Sequence, residues 1–229
     1  MKIKNKKIIA SALCALVGTV WTVIGFGWFA ESASAENPQR NWTNFVSRSF
    51  GSPETATVIA SGLNNPRGLT LSPDGAIYVA EAGSGGAGPC APGPDDVRCY
   101  GTSGSITQID LKNGAVSRIA TGLPSIAPPG GDFAEGVHDV SFQGLGNLYF
   151  TVGFGGDPAN RTIFFGQGGE NLARIGRMTP RGSWTLQEDL GDFEAAVNPT
   201  GDEIDTNPYG LLAIPGKRVV ADAGANDLV

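Results

Sequence analysis

Several residue types are scarce in this sequence, and each scarcity limits the possible function. The 229 residues contain one histidine, His138, so any mechanism that needs a histidine base would have to use it. Cys90 and Cys99 stand nine residues apart with no histidine beside them, which does not make a zinc site. No Gly-x-Ser-x-Gly elbow and no Gly-x-x-x-x-Gly-Lys phosphate loop is present, so the sequence carries no serine-hydrolase or nucleotide-binding motif.

The N-terminal segment explains much of the basic character that the chain does have. Four lysines precede an apolar run over residues 8–30, and Ala33-Ser34-Ala35 then provides the small residues that a signal peptidase reads. This pattern predicts a signal peptide over residues 1–35. The alternative is an uncleaved anchor, because the run is long enough to span a bilayer. In both cases we expect an extracytoplasmic protein, periplasmic or secreted.

Without that segment the chain is strongly acidic. Residues 36–229 contain 12 basic and 21 acidic residues, a formal net charge of −9. Phosphate backbones and anionic lipid surfaces would repel such a domain. We therefore expect no nucleic-acid partner, and membrane contact only through the N-terminal segment if it is not cleaved.

The two remaining cysteines lie in a loop rich in glycine and proline, GSGGAGPCAPGPDDVRCYG. In an oxidising compartment the close spacing favours a disulfide between Cys90 and Cys99. Such a bridge would brace an insertion whose composition gives it little intrinsic structure.

A repeat organises the rest of the chain. The stretches 66–83, 137–153 and 208–224 resemble one another, and equivalent positions Arg67, His138 and Tyr209 are separated by 71 residues each time. Each stretch has two short β-rich runs around a turn, the pattern of a hairpin. A regular period of paired strands is typical of solenoids and propellers, in which each unit packs on its neighbours.

The runs between these hairpins complete four-stranded units, which predicts an all-β propeller of antiparallel blades. Blade one covers residues 67–122, blade two 138–190, and 209–229 begins blade three. Residues 57–61 are predicted to form an outer latch strand, and residues 36–56 are predicted to form an N-terminal extension. Because a closed ring normally takes at least four blades, we expect an incomplete amino-terminal arc of about two and a half blades.

Four segments carry a family resemblance: NNPRGLTLSPDGAIYVAEAG, GTSGSITQID, GVHDVSFQGLGNLYFTVGFGGDP and NPYGLLAIPGKRVVADAGAN. They resemble the ScyD/ScyE family, secreted propeller proteins named from the gene clusters of scytonemin, a cyanobacterial sunscreen pigment. That family resembles the wider six-bladed NHL and SMP-30/gluconolactonase-like propellers. The resemblance implies six blades, export and a link to pigment biosynthesis.

Candidate ligand-binding residues lie where the loops enter the innermost strands, because these loops meet at one mouth of the channel in a propeller. They are Asn65, Arg67, His138, Asp139, Asn207 and Tyr209. The alternative is ordinary turn chemistry, in which these side chains bond neighbouring backbone.

Acidic residues give a second set of candidates. Glu81 and Asp222 end the second strand of the first and third repeats, where the second repeat has Val152. The group Asp202, Glu203 and Asp205 is the best local calcium candidate, although its spacing is not that of a loop that wraps calcium alone. A solvated acidic loop is the alternative.

These observations favour an exported, non-catalytic or accessory module that binds a small molecule or a partner protein. A calcium-dependent hydrolase of the lactonase or arylesterase kind is the alternative, with calcium as its cofactor. Fold alone cannot choose, since propellers host both functions.

Overall fold

Strands dominate the computed structural model of the protein, which describes residues 56–93 and 96–229. The predicted leader and most of the predicted extension, residues 1–55, lie outside the described residues. The described part forms twelve strands in three antiparallel sheets, so the expectation of an antiparallel all-β chain is confirmed. Among the described residues, no helix is both long and apolar enough to cross a membrane.

The first sheet comes from the segment predicted as blade one. Its strands are β1 (Pro66–Leu71), β2 (Ile77–Glu81), β3 (Cys90–Pro92), β4 (Val97–Ile109) and β5 (Val116–Ala127). β4 pairs with β2 on one side and β5 on the other, and its first residues also pair with β3. The predicted disulfide between Cys90 and Cys99 is present, and it joins two residues directly opposite each other in the β3–β4 ladder.

The second sheet has the strand order of the chain: β6 (Val137–Gln143), β7 (Asn147–Val152), β8 (Arg174–Met178) and β9 (Trp184–Asp189). Helix α1 (Arg161–Phe165) lies in the connection between β7 and β8, and helix α2 (Leu190–Val197) follows β9. The four-stranded blades predicted from the sequence included no helix in this segment. α2 begins at an Asp189 cap and ends at Asn198, which adopts the left-handed conformation.

The third sheet is formed by β10 (Pro208–Ile214), β11 (Lys217–Asp222) and β12 (Asp227–Leu228). The first strands of the three sheets therefore begin 71 residues apart, as the repeat predicts. Residues 57–61, for which the sequence predicts a strand, have no regular secondary structure. Val58 and Ile59 are 82% and 55% exposed there, and the segment is held by Arg118, which donates to the Gly62 carbonyl at 2.9 Å.

Apolar side chains between the sheets form two core clusters. The larger joins the first and second sheets and includes the fully buried Ile106, Leu123 and Phe150. The smaller joins the second and third sheets, where Tyr149 packs with Val220. In both interfaces β6 is central, since it contacts β1 on one side and β10 on the other.

Alternate side chains of β6 bond the backbone of β10. Asp139 accepts from the N–H of Leu211 at 2.8 Å, and Ser141 accepts from the N–H of Ala213 at 3.0 Å. Gln143 then donates to the carbonyl of Ile214 at 2.6 Å. Side chains two residues apart lie on the same side of a strand. These three side chains of β6 therefore bond backbone groups on the edge of β10 that is not paired with β11.

Asp139 also requires space on its other side, which Gly68 of β1 provides. A β-carbon at Gly68 would lie 2.0 Å from Asp139 Oδ1. Gly210 is the equivalent residue of β10, and its nearest neighbour would be the Ala221 β-carbon at 3.6 Å. The same repeat position is therefore tightly packed in one sheet and open in another.

We predict that Gly68→Ala lowers the free energy of unfolding by about 1 to 3 kcal/mol, because the added methyl group displaces the Asp139 carboxylate. Gly210→Ala is the matched control, and we expect it to be neutral or slightly stabilising, since the methyl group meets only the Ala221 β-carbon at an ordinary contact distance of 3.6 Å. Urea denaturation followed by circular dichroism measures both. Equal effects of the two substitutions would contradict the packing described.

Candidate functional site

Five side chains converge where the loops enter the first strands of the sheets: Arg67, Arg98, Glu135, His138 and Tyr209. We call this group the mouth cluster. The His138 and Tyr209 rings lie 4.5 Å apart between centroids. The charges of His138, Arg98 and Arg67 all act on the carboxylate of Glu135. The structure thus brings together three predicted ligand-binding residues, Arg67, His138 and Tyr209, with two that the sequence did not single out.

His138 is completely buried. Its Nε2 lies 2.7 Å from Glu135 Oε2, and its Nδ1 lies 3.0 Å from the carbonyl oxygen of Pro208. Both ring nitrogens therefore face oxygen acceptors, and only the protonated ring can donate to both. A general base needs a free nitrogen within reach of the substrate, so this ring is placed to hold the cluster together.

Glu135 is the electrostatic centre of the cluster. Burial by itself raises the pKa of its carboxyl group, but the hydrogen bond and charge of His138, followed by the charges of Arg98 and Arg67, outweigh that effect and lower it. The sequence offered a weak signal for Glu135, which precedes His138 by three residues. Arg98 lies next to Cys99 in the cysteine loop, and the repeat gives no indication of where that loop folds.

The mouth cluster still has polar groups available to a ligand. Arg67 donates one N–H to the carbonyl of Ala134 at 2.8 Å, while its buried Nε has no hydrogen-bond partner. The Tyr209 side chain is 41% exposed. A half-exposed aromatic ring can stack on a planar ligand, and a guanidinium group can bind an anionic substituent.

A small cavity of about 140 Å³ adjoins the cluster. Its walls include Arg98, Ile126 and the aromatic residues Phe154, Phe164 and Phe165. Ile126 forms a β-bridge with Glu135 of the mouth cluster. An apolar cavity of this size accommodates a single aromatic ring.

The two asparagines and Asp139 act within the protein scaffold. Asn65 donates its side-chain amide to the carbonyls of Gly83 and Gly131. The Asn207 side chain accepts from the N–H of Phe154 at 3.1 Å, which fixes one aromatic wall of the cavity. Asp139 bonds β10, as described above.

Glu81 and Asp222 are also engaged by protein donors. Glu81 is completely buried and accepts from the backbone of Asn64 and the side chains of Thr107 and Arg118. Asp222 accepts from the Thr206 hydroxyl and from three backbone N–H groups, those of Asn207, Gly224 and Ala225. Glu81 thus connects the end of β2 to the loop before β1, and Asp222 connects the end of β11 to the loop before β10.

The predicted calcium loop divides into exposed and inward-facing residues. Asp202 and Glu203 are exposed, whereas Asp205 has a buried carboxylate oxygen, Oδ1, with no hydrogen-bond partner. Within residues 56–93 and 96–229, no group of three or more His, Cys, Asp or Glu side chains is placed to hold a metal ion. The loop therefore does not form a cage of carboxylates around one point.

We predict that Glu135→Gln lowers the free energy of unfolding at pH 7 by about 1 to 3 kcal/mol, because buried His138 loses its charged partner. The folded-state pKa of Glu135 lies below its ordinary value, so its contribution is present above the ordinary carboxyl range and is lost as the pH falls through the folded-state pKa. The gap between wild type and variant should therefore narrow as the pH falls from 5 to 3. Denaturant unfolding across this range is the measurement.

Glu170→Gln is the control for this prediction, since Glu170 is exposed. We expect it to follow the wild-type stability at every pH. A Glu135→Gln variant as stable as wild type at pH 7 would contradict the role assigned to the Glu135–His138 contact.

Comparison with known proteins adds no assignment. No family model, curated protein or solved structure matches the chain. The functional argument therefore depends on the geometry of the mouth cluster and its cavity, together with the motif resemblance noted in the sequence.

Proposed function

We propose that the protein is an exported, propeller-type binding module that takes up a small acidic aromatic molecule at the mouth cluster and the adjoining cavity. The observation that carries the proposal is Arg98, whose charge lowers the pKa of the Glu135 carboxyl group and which lines the cavity with three phenylalanines. A cation at the edge of an aromatic pocket suits a ligand with a ring and an anionic group.

The propeller part of the proposal is supported by the arrangement of the sheets. Each has its first strand at the same point of a 71-residue repeat, and β6 contacts the first strands of both other sheets. Blades of a propeller pack side by side in this way around their innermost strands. We propose that the three sheets are consecutive blades of a ScyD/ScyE-like propeller.

Electrostatics supports an anionic ligand at this position. The predicted exported region has a net charge of −9, and most of its surface would repel an anion. Arg67 and Arg98 bring two guanidinium groups to this part of an acidic protein, and Arg98 lines the cavity itself, where it can pair with an anionic substituent. An aromatic acid is also consistent with the aromatic pigment chemistry that the family resemblance implies.

We favour binding over catalysis because of His138. The single histidine is buried with both nitrogens facing acceptors, so a histidine-based hydrolysis has no base to use. Export is supported by the disulfide, since such bonds persist in oxidising compartments.

We predict that benzoate or phenylacetate binds the purified protein and that Arg98→Gln weakens binding at least tenfold. The charged hydrogen bonds of a guanidinium to a carboxylate are worth more than the ~1.4 kcal/mol that a tenfold change represents. The uncharged amides of both ligands should bind with the affinity of the variant. Isothermal titration calorimetry measures each pair.

Arg181→Gln is the control, because Arg181 is exposed and lines a different groove near the Ser183 turn. It should bind like wild type. Absence of binding by every aromatic acid tested would contradict the proposal. Calcium-dependent turnover of a lactone or aryl ester that EDTA abolishes would favour the hydrolase alternative.

A further inference from the structure

The same relation between neighbouring sheets occurs twice in the structure. β6 contacts the first two strands of the first sheet, β1 and β2, and β10 contacts the first two strands of the second sheet, β6 and β7. The second and third sheets therefore each place their first strand against the first two strands of the sheet before. We call the side of a sheet that faces the preceding sheet its leading face, and the opposite side its trailing face.

The leading face of the second sheet is apolar and covered. Val140 and Phe142 are alternate residues of β6, so their side chains lie on one side of the strand. Val140 is 2% exposed. The Phe142 ring meets the Tyr78 ring of the first sheet edge-on, with 4.9 Å between the ring centroids. This face is therefore packed against the first sheet.

The leading face of the third sheet is covered in the same way. Leu211 and Ala213 stand 71 residues after that pair, and they are 9% and 6% exposed. Both belong to the core cluster that contains Tyr149 of the second sheet. The repeat thus determines which two residues of a first strand pack on the sheet before it.

The first sheet has leucines at the same two positions of β1, Leu69 and Leu71. Here, however, the two residues are 64% and 62% exposed. Large apolar side chains grouped on a surface mark an interaction site more often than scattered ones do. Because the equivalent residues are packed between sheets at both internal interfaces, the leading face of the first sheet has the composition of a sheet–sheet contact.

The trailing face of the third sheet is exposed and apolar as well. Ser141 of β6 bonds β10 on the trailing face of the second sheet, and its equivalent in β10 is Leu212, which is 57% exposed. Ile214 lies on the same side of the strand and is 37% exposed. Leu212 is opposite Val219 of β11, which adds a third apolar side chain to this face.

We propose that a second copy of this chain covers both faces. The trailing face of the third sheet of one copy packs on the leading face of the first sheet of the other copy, and two such contacts close a dimer. Each contact continues the sheet-on-sheet packing that the chain already makes twice within itself. The proposal rests on the blade arrangement of the proposed function and not on its ligand.

Closure with two copies follows from the number of sheets. Closed propellers have about four to eight blades. One copy has three sheets in its described residues, and two copies provide six, whereas a third copy would exceed the range. A head-to-tail contact that does not close produces an open filament, so the closed dimer is the assembly that leaves neither face exposed.

The contact between copies would be apolar, like the contact between the first and second sheets. The row of β6 that bonds β10 is polar, whereas the equivalent row of β10 is Gly210, Leu212 and Ile214. These residues have no side-chain hydrogen-bonding groups. Burial of apolar surface would therefore provide the free energy of association.

The test is the molar mass of the purified protein, measured by size-exclusion chromatography with light scattering from low to high micromolar concentration. We expect a dimer. Leu71→Glu changes the leading face and Leu212→Glu changes the trailing face, and each should give a monomer, since a carboxylate buried in an apolar contact has no partner.

Milder variants and a control keep the test independent of folding. Leu71→Ser and Leu212→Ser should each raise the dissociation constant of the dimer at least tenfold, because each removes a large apolar side chain from both contacts. Ile163→Glu is the matched control, since Ile163 is 74% exposed but lies on α1, in the connection between β7 and β8. It should remain a dimer. Circular dichroism should show the wild-type spectrum for every variant.

Three results would overturn the proposal. The first is a wild-type monomer at the highest concentration. The second is a dimer that responds to substitutions on only one face, which would indicate that this face packs on itself. The third is an assembly that grows continuously with concentration. Titration of the same samples with benzoate separates the two proposals, because a monomer that binds benzoate contradicts only the dimer, and a dimer that binds no aromatic acid contradicts only the ligand.

Discussion

Satisfaction of the backbone hydrogen bonds of β10, the first strand of the third sheet, is the constraint on which the alignment of the second and third sheets depends. β10 pairs with β11 on one side only, and its other side faces β6. Asp139 and Ser141 accept from its N–H groups, and Gln143 donates to one of its carbonyls. Side-chain donors and acceptors thus replace a missing strand, and they fix the third sheet against the second in one register.

The mouth cluster is built at the same junction. His138 bonds the carbonyl of Pro208, the first residue of β10, while Glu135 holds its other nitrogen. The contacts that align the sheets therefore also set the position of Tyr209, whose ring lies 4.5 Å from that of His138. This short stretch of β6 therefore bonds β10 twice, through His138 to the carbonyl of Pro208 and through Asp139 to the N–H of Leu211.

The sequence was informative where local chemistry repeats. Turn residues and alternating apolar residues predicted the hairpins that begin each sheet, and cysteine spacing predicted the bond between Cys90 and Cys99. The sequence was uninformative about elements and residue positions that only tertiary contacts determine. Helix α2 is short and depends on the Asp189 cap and buried Arg161, which bonds Asp189 and Asp192. Glu135 lies in the loop before β6 and Arg98 near the start of β4, and only the fold brings the two together.

The disulfide braces one side of the cavity. Arg98 is adjacent to Cys99, and Pro92 lies two residues after Cys90, so both walls that this hairpin contributes to the cavity are next to the bridge. In a reducing compartment the bridge would be open, and a three-residue strand between glycine- and proline-rich segments would have little else to hold it. The shape of this side of the cavity would therefore depend on the oxidation state of Cys90 and Cys99.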